Sequence, residues 1–206
     1  MSFRVEDKYI VNNEDRIKIL SFIKKDGFEP AYNNRNITSI YFDNKNLSMF
    51  HDSEEGSTPR KKIRVRSYNN QSLTNEDLNI EKKITSAEGR FKESTSINHV
   101  DEKLKFGILD QNYGICKPII KVCYNRAYYS VLNYRVTLDT NIIYFLQESF
   151  HKSLRKKNDE NIVVEIKSQN TFSVNDIQDQ FLFQRIRFSK YCRAIELVFF
   201  DKLVSI

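Results

Sequence analysis

The chain has 206 residues, 40% of them apolar and 29% charged, with 15 Phe and 11 Tyr, which suits one soluble globular domain of ordinary size or two very small ones. Its 5 Gly and 3 Pro exclude collagen-like and low-complexity architectures and leave few candidates for a glycine-rich nucleotide loop, and no apolar run is long enough to span a membrane. The 33 Lys+Arg against 27 Asp+Glu give a net charge of +6, which points to an anionic partner without choosing among nucleic acid, a phosphorylated metabolite and an anionic membrane surface.

The N-terminus is charged where a signal peptide would be apolar, so the chain reads as cytoplasmic. Alternation predicts a first strand over 4–11. A helix over 14–25 follows, with Ile17, Leu20 and Ile23 on one face and Gly27 as its stop. Further strands are predicted over 38–43, 61–68, 78–85, 91–94, 119–129, 134–139, 162–168 and 194–200. Short helices are predicted at 44–50 and 99–106, and a longer one over 173–185, capped by Ser173 and lined by Val174, Ile177 and Phe181. Residues 52–59, 69–77 and 152–160 read as surface loops, and with no linker-like stretch 1–206 reads as one domain. Cys116, Cys123 and Cys192 have neither metal nor disulfide spacing and read as buried reduced thiols, and His51, His99 and His151 read as surface residues.

Residues i and i+2 of a strand share a face. Lys62, Arg64 and Arg66 therefore oppose Ile63 and Val65, while Glu81 and Lys83 oppose Ile80 and Ile84. Arg135, Thr137 and Asp139 oppose Tyr134, Val136 and Leu138, and Glu165 and Lys167 oppose Ile162, Val164 and Ile166. For any single strand the simplest account is an antiparallel sheet with a wet outer face. Against it stands the recurrence of Glu-x-Lys at Glu6/Lys8, Glu81/Lys83 and Glu165/Lys167. A flat sheet of so many strands would also expose its edges and a field of like charges. Closing it into a barrel removes the edges, and with the charged faces inward the lumen is polar and lined by cations and a few carboxylates. Such a lumen suits a linear polyanion, which Arg binds bidentately and Lys as a point charge. The carboxylates then make sense as ligands for Mg²⁺ or Mn²⁺ bridging phosphate oxygens.

The order of motifs resembles the VTC domain, the polyphosphate polymerase module within the triphosphate tunnel metalloenzyme (CYTH-like) superfamily. The resemblance runs from Glu6 to Ala194. It rests on Glu6-Asp7-Lys8-Tyr9, Ser39-Ile40-Tyr41-Phe42-Asp43, Arg64-Val65-Arg66-Ser67-Tyr68 and Glu81-Lys82-Lys83. Next come Arg90-Phe91-Lys92, Tyr124-Asn125-Arg126-Ala127-Tyr128, Arg135-Val136-Thr137-Leu138-Asp139, Val164-Glu165-Ile166-Lys167 and Phe188-Ser189-Lys190-Tyr191. Related tunnel enzymes begin with Glu-x-Glu-x-Lys; Arg4 stands at the first Glu position here, which fits the VTC branch better than the triphosphatase branch.

The resemblance implies an α+β fold, an antiparallel eight-stranded barrel with a few helices packed outside. It implies that Lys8, Arg64, Arg66, Lys83, Lys92, Arg126, Arg135 and Lys190 bind the phosphate chain, with hydroxyl contacts from Tyr124 and Ser189. Of these, Arg64, Arg66, Arg126, Arg135 and Lys190 would face the transferred group. Glu165 would be the main ligand of Mn²⁺ or Mg²⁺, helped by Glu6 and Glu81. The implied activity is transfer of the γ-phosphate of ATP to polyphosphate by a stand-alone module without the phosphate-sensing SPX domain of eukaryotic relatives. Alternatives are a tunnel triphosphatase and a non-catalytic polyphosphate-binding module. Nucleic acid ranks low, because the cations alternate on strands instead of lining a recognition helix. A membrane-protein partner stays open. Glu165 could instead be a structural ion pair, Ser189 a cap, Tyr124 packing and Lys92 an outer-turn residue.

Overall fold

The computed structural model describes residues 5–68, 78–97, 100–132, 134–147, 153–168 and 183–200. Along the chain run β1 (Val5–Val11), α1 (Arg16–Lys25), β2 (Glu29–Asp43), α2 (Ser48–Glu55), β3 (Arg60–Tyr68), β4 (Asn79–Ser86) and β5 (Gly89–Ser96). Then follow α3 (Val100–Phe106), β6 (Ile108–Asp110), β7 (Gly114–Val131), β8 (Tyr134–Gln147), β9 (Ser153–Asp159), β10 (Ile162–Ser168) and α4 (Lys190–Ala194), which continues into a π-helical turn, Ile195–Phe199. Eight strands lie on one hydrogen-bonded path, β1-β10-β8-β7-β2-β3-β4-β5, with β6 beside β7 and β9 beside β8. The sheet is antiparallel, as the alternation predicted. Among the described residues no helix is long and apolar enough to cross a membrane.

Contacts divide the chain into two compact units. The first comprises Met1–Arg35, Tyr124–Ile142 and Asp159–Phe188. In it β10 pairs with β1 on one side and β8 on the other, with Tyr9 opposite Val164, which is opposite Leu138. These residues with Val11, Val136, Ile162 and Ile166 form a core face, onto which α1 packs Ile19 and Ile23. The sequence predicted the ridge Ile17–Leu20–Ile23, but Ile17 is 75% exposed. Two ridges share Ile23, and packing against Tyr9, Val11 and Phe28 selects the one that buries Ile19 and draws in Phe22. Of the helix predicted over 173–185, residues 173–182 lie outside the described residues; at 183–185 the chain is not helical, and Arg185 bridges to Tyr9.

The second unit comprises Asn36–Cys123, Ile143–Asn158 and Ser189–Ile206. Ile40, Val65 and Ile80 are aligned across β2, β3 and β4, as are Phe42 and Ile63. Ile40, Val65, Phe42 and Ile63 are almost fully buried, together with Met49 of α2 and Val100 and Leu104 of α3. Predictions failed here in three places. The helix expected at 44–50 begins at Ser48 and takes up half of the loop expected at 52–59. Its start is set by Asp43, whose carboxylate accepts from the N–H groups of Met49 (3.1 Å) and Phe50 (3.0 Å). Residues 153–159, expected as loop, form β9, a strand outside the main path whose exposed Lys156 and Lys157 need no apolar alternation. The strand expected at 194–200 is helical. Ser189 caps it by accepting from Cys192 N–H (3.4 Å), and the buried Tyr191, Ala194, Ile195 and Val198 follow the helical period. The loop expected at 69–77, and His99 and His151, lie outside the described residues. All three cysteines are free thiols; Cys116 and Cys192 are buried, as expected, whereas Cys123 is only half-buried, and burial pushes the Cys116 thiol up to about 11.

Asp43 joins the ends of two helices, because Tyr191 at α4 also donates its hydroxyl to it (2.6 Å). Asp43→Ala should therefore lower unfolding stability by about 2–4 kcal/mol in a denaturant titration, through loss of a cap and stranding of buried donors.

Candidate functional site

Each unit carries a polar sheet face, on the side of its strands opposite the apolar residues. In the second unit register builds it row by row. Ser39 lies opposite Arg66 and Tyr41 opposite Arg64, while Glu81 of β4 lies opposite Arg64 and Ser94. Lys62, Lys83 and Lys92 align across β3, β4 and β5. The cations converge on Glu81. Arg64 Nε donates to its Oε2 at 2.7 Å, Lys92 Nζ to its Oε1 at 2.7 Å, and Arg66 lies at 3.8 Å. Arg66 Nε also donates to Ser39 Oγ (3.0 Å), and Arg64 to the Tyr41 hydroxyl (3.1 Å). Lys62 Nζ donates to Ser189 Oγ at 2.9 Å.

Electrostatics follow from this crowding. Burial would raise the Glu81 carboxyl, but Arg64, Arg66 and Lys92 outweigh it and hold it at about 2. Burial likewise works against the Tyr41 phenolate, yet Arg64, Arg66 and Lys190 bring the phenol down to about 8. Tyr41 stacks on Tyr191 with ring centroids 5.3 Å apart.

In the first unit Glu6, Lys167 and Arg135 share one row, and Lys8, Glu165 and Thr137 the next. Lys167 pairs with Glu165 and, at 3.5 Å, with Glu6. Lys8 reaches Glu6 at 3.1 Å and donates to the Phe188 carbonyl at 3.1 Å. Arg126 of β7 forks onto Asp139 of β8 through Nε (2.5 Å) and a second nitrogen (2.7 Å), and its guanidinium lies 5.3 Å from the Tyr124 ring centre. Burial opposes the Glu165 charge, but Lys167, Lys8 and Arg126 keep its carboxyl well below the usual carboxylate range. Among the described residues the buried Nε of Arg135 has no hydrogen-bond partner, and neither has the hydroxyl of Thr137 one row away.

The structure thus gathers Arg64, Arg66 and Lys92 around the Glu81 carboxylate, with Lys83 aligned beside Lys92 and Lys190 close enough to act on Tyr41. In the other unit it gathers Glu6, Lys8, Arg126 and Glu165, with Arg135 aligned beside Lys167. Ser189 is both a cap and a partner of Lys62, and Tyr124 both buried and under a guanidinium. Lys92, though half-exposed, reaches Glu81, whereas Arg90 is exposed. Glu6 and Glu165 meet on the same Lys167 ammonium, and among the described residues no three acidic, His or Cys side chains cluster as a protein-only metal cage. Reasoning from strand faces left Tyr41, Ser39 and Asp139 without roles. Their parity already placed them on the charged faces; their partners became visible only through register.

Two measurements test this picture. Glu81 contributes stability that is full above the ordinary carboxyl value of 4.5 and is lost as pH falls toward 2. Glu81→Gln should flatten that acid limb and cost about 3–5 kcal/mol at neutral pH by denaturant titration. A phenolate absorbance should titrate near pH 8 in the parent and vanish in Tyr41→Phe.

The family model described as "VTC domain" matches residues 3–115 and 108–199. No curated protein sequence matches the chain. Among solved structures, a candidate adenylate cyclase from Vibrio parahaemolyticus is 18% identical with a TM-score of 0.54, over 92% of this chain and 96% of its own. A candidate adenylyl cyclase from Hippeastrum, described as having a dominant triphosphatase activity, is 12% identical with a TM-score of 0.58, over 95% and 96%. A Pyrococcus horikoshii protein is 16% identical with a TM-score of 0.53, over 86% and 87%. At these identities the likeness concerns the fold. With the family model covering nearly the whole sequence and the charged strand faces in the order the motifs predicted, the chain belongs to the VTC domain family and has its α+β, antiparallel tunnel-type fold.

Proposed function

We propose that this protein transfers the γ-phosphoryl group of ATP to the end of a polyphosphate chain. The observation that carries the reading is the cation field of β3, β4 and β5, where Lys62, Arg64, Arg66, Lys83 and Lys92 share one face with Glu81, the counter-ion of Arg64, Arg66 and Lys92. A row of like charges along strands matches the repeat of a linear polyanion better than a compact one. In the reaction the bond between the β,γ-bridging oxygen and the γ-phosphorus breaks, a terminal oxygen of the acceptor bonds to that phosphorus, and ADP leaves. The acceptor is already an anion, so no general base is required. On the face of the second unit Arg64, Arg66 and Lys190 would meet the charge on phosphate oxygens while Lys83, Lys92 and Ser189 hold the chain; on that of the first unit Arg126 and Arg135 would meet such charge, with Lys8 and Tyr124 as further contacts.

Glu165 with Glu6, and Glu81 in the second unit, would hold Mn²⁺ or Mg²⁺. Glu6 and Glu165 sit on one shared ammonium, which fits a cation that takes one or two carboxylates and completes its shell with phosphate oxygens. Such a cation would neutralise phosphate charge; the positioning of the chain falls to the arginines and lysines.

Water is the competing acceptor, and the triphosphatase activity described for the Hippeastrum neighbour keeps hydrolysis as the second reading. Purified protein given ATP and Mn²⁺ should yield a polyphosphate ladder on a gel, with ADP and little orthophosphate. Orthophosphate without a ladder would move the protein to hydrolysis, and neither product would leave a binding module. Arg64→Ala should weaken binding of inorganic triphosphate roughly 10- to 100-fold by calorimetry, as loss of a charge-assisted contact predicts. Glu165→Gln should abolish metal-dependent turnover while leaving the circular dichroism spectrum unchanged.

A further inference from the structure

A phosphate-binding face by itself cannot tell a nucleotide donor from a polyphosphate product, because both present the same phosphate chain. The first unit holds a feature that can. On β2, before its register with β3 begins at Ile37, Tyr32 is 54% exposed. The Arg35 guanidinium lies 5.3 Å from the Tyr32 ring centre and 5.6 Å from that of Tyr128. The two rings meet edge to face, 5.5 Å between centres. Tyr128 follows Arg126 by two residues on β7 and so shares its strand face. The Arg126 guanidinium is 6.0 Å from the Tyr128 ring centre. One aromatic ring therefore separates an exposed tyrosine–arginine pair from an arginine of the phosphate-binding set.

We infer that Tyr32 and Arg35 form a stacking platform for the nucleobase of the phosphate donor, whose phosphates lie toward Arg126. This rests on the donor reading above and deepens it. An exposed aromatic face beside a guanidinium is the arrangement that stacks a base through its π surface. Asp139 holds Arg126 in place through two hydrogen bonds, so the phosphate end of the site is fixed in relation to Tyr128. Stacking reads no hydrogen-bonding edge, so ATP and GTP should be accepted nearly alike. Inorganic triphosphate and polyphosphate, which have no base, should ignore the platform.

The test measures binding of ATP, GTP and inorganic triphosphate to the full chain by calorimetry, with KM for ATP from ADP release. Tyr32→Ala should weaken ATP and GTP about tenfold, the loss expected when one base is unstacked, and raise KM for ATP to match while leaving triphosphate affinity at the parental value. Tyr32→Phe keeps the π face and should restore nucleotide affinity. Arg35→Ala should fall on the side of Tyr32→Ala. Unchanged ATP affinity in both alanine variants overturns the platform, as does an equal loss of ATP and triphosphate. A parent that binds triphosphate but no nucleotide overturns the platform and spares the anion site. A parent that binds neither overturns the donor reading itself, and the platform with it.

Discussion

Cations on neighbouring strands of one sheet face stand about 5 Å apart, and their repulsion governs this molecule. Where the face is partly shielded from water, each such pair repels by a few kcal/mol. Arg66 is only 5% exposed and Glu81 3%, so solvent does little of the screening. The protein supplies its own counter-ions instead: Glu81 for Arg64, Arg66 and Lys92, Asp139 for Arg126, and Glu165 for Lys167 and Lys8. Removing Glu81 or Glu165 would strand several cations at once, and those same cations hold both carboxyls below the usual carboxylate range.

The same arrangement bears on binding. An internal carboxylate neutralises only part of the field around it, and the remaining charge is available to an anion. The pairs differ in how tightly they are held. Arg126 and Asp139 are joined by two short parallel bonds, with Asp139 fully buried. Lys92 is half-exposed at its end of the Glu81 cluster, so its ammonium can turn from Glu81 toward a phosphate at little cost in desolvation. Arg64, by contrast, is held at three points, by Glu81, by the Tyr41 hydroxyl and by the Tyr41 ring. It is a fixed feature of the face.

That fixing depends on parts of the chain far from the strand. Tyr41 is stacked on Tyr191, and Tyr191 donates to Asp43, which also starts α2. A short helix at the end of the described chain thus supports an arginine on β3. The arginine, the two tyrosines and the aspartate behave as one unit, so substitutions within it are expected to couple.

Period-two alternation assigned strands and sorted their faces, because a side chain's side of the sheet follows from its parity alone. Lys62, Arg64 and Arg66 against Ile63 and Val65, or Glu165 and Lys167 against Val164 and Ile166, needed no tertiary information. The order of motifs carried the family. Local sequence was weaker where two patterns competed. The apolar run near 195–200 suits a strand or a helix, and a cap from Ser189 decided for the helix. Two ridges of α1 suited burial, and the shape of the sheet beneath chose Ile19 over Ile17. Partnership lay beyond the sequence altogether. Whether Glu81 faces Arg64, whether Asp139 receives Arg126, and whether Tyr32 meets Tyr128 depends on strand register and neighbour order. These are set by how separate segments pack, so the sequence determined which residues are charged and which way they face, while the tertiary structure decided which charges meet.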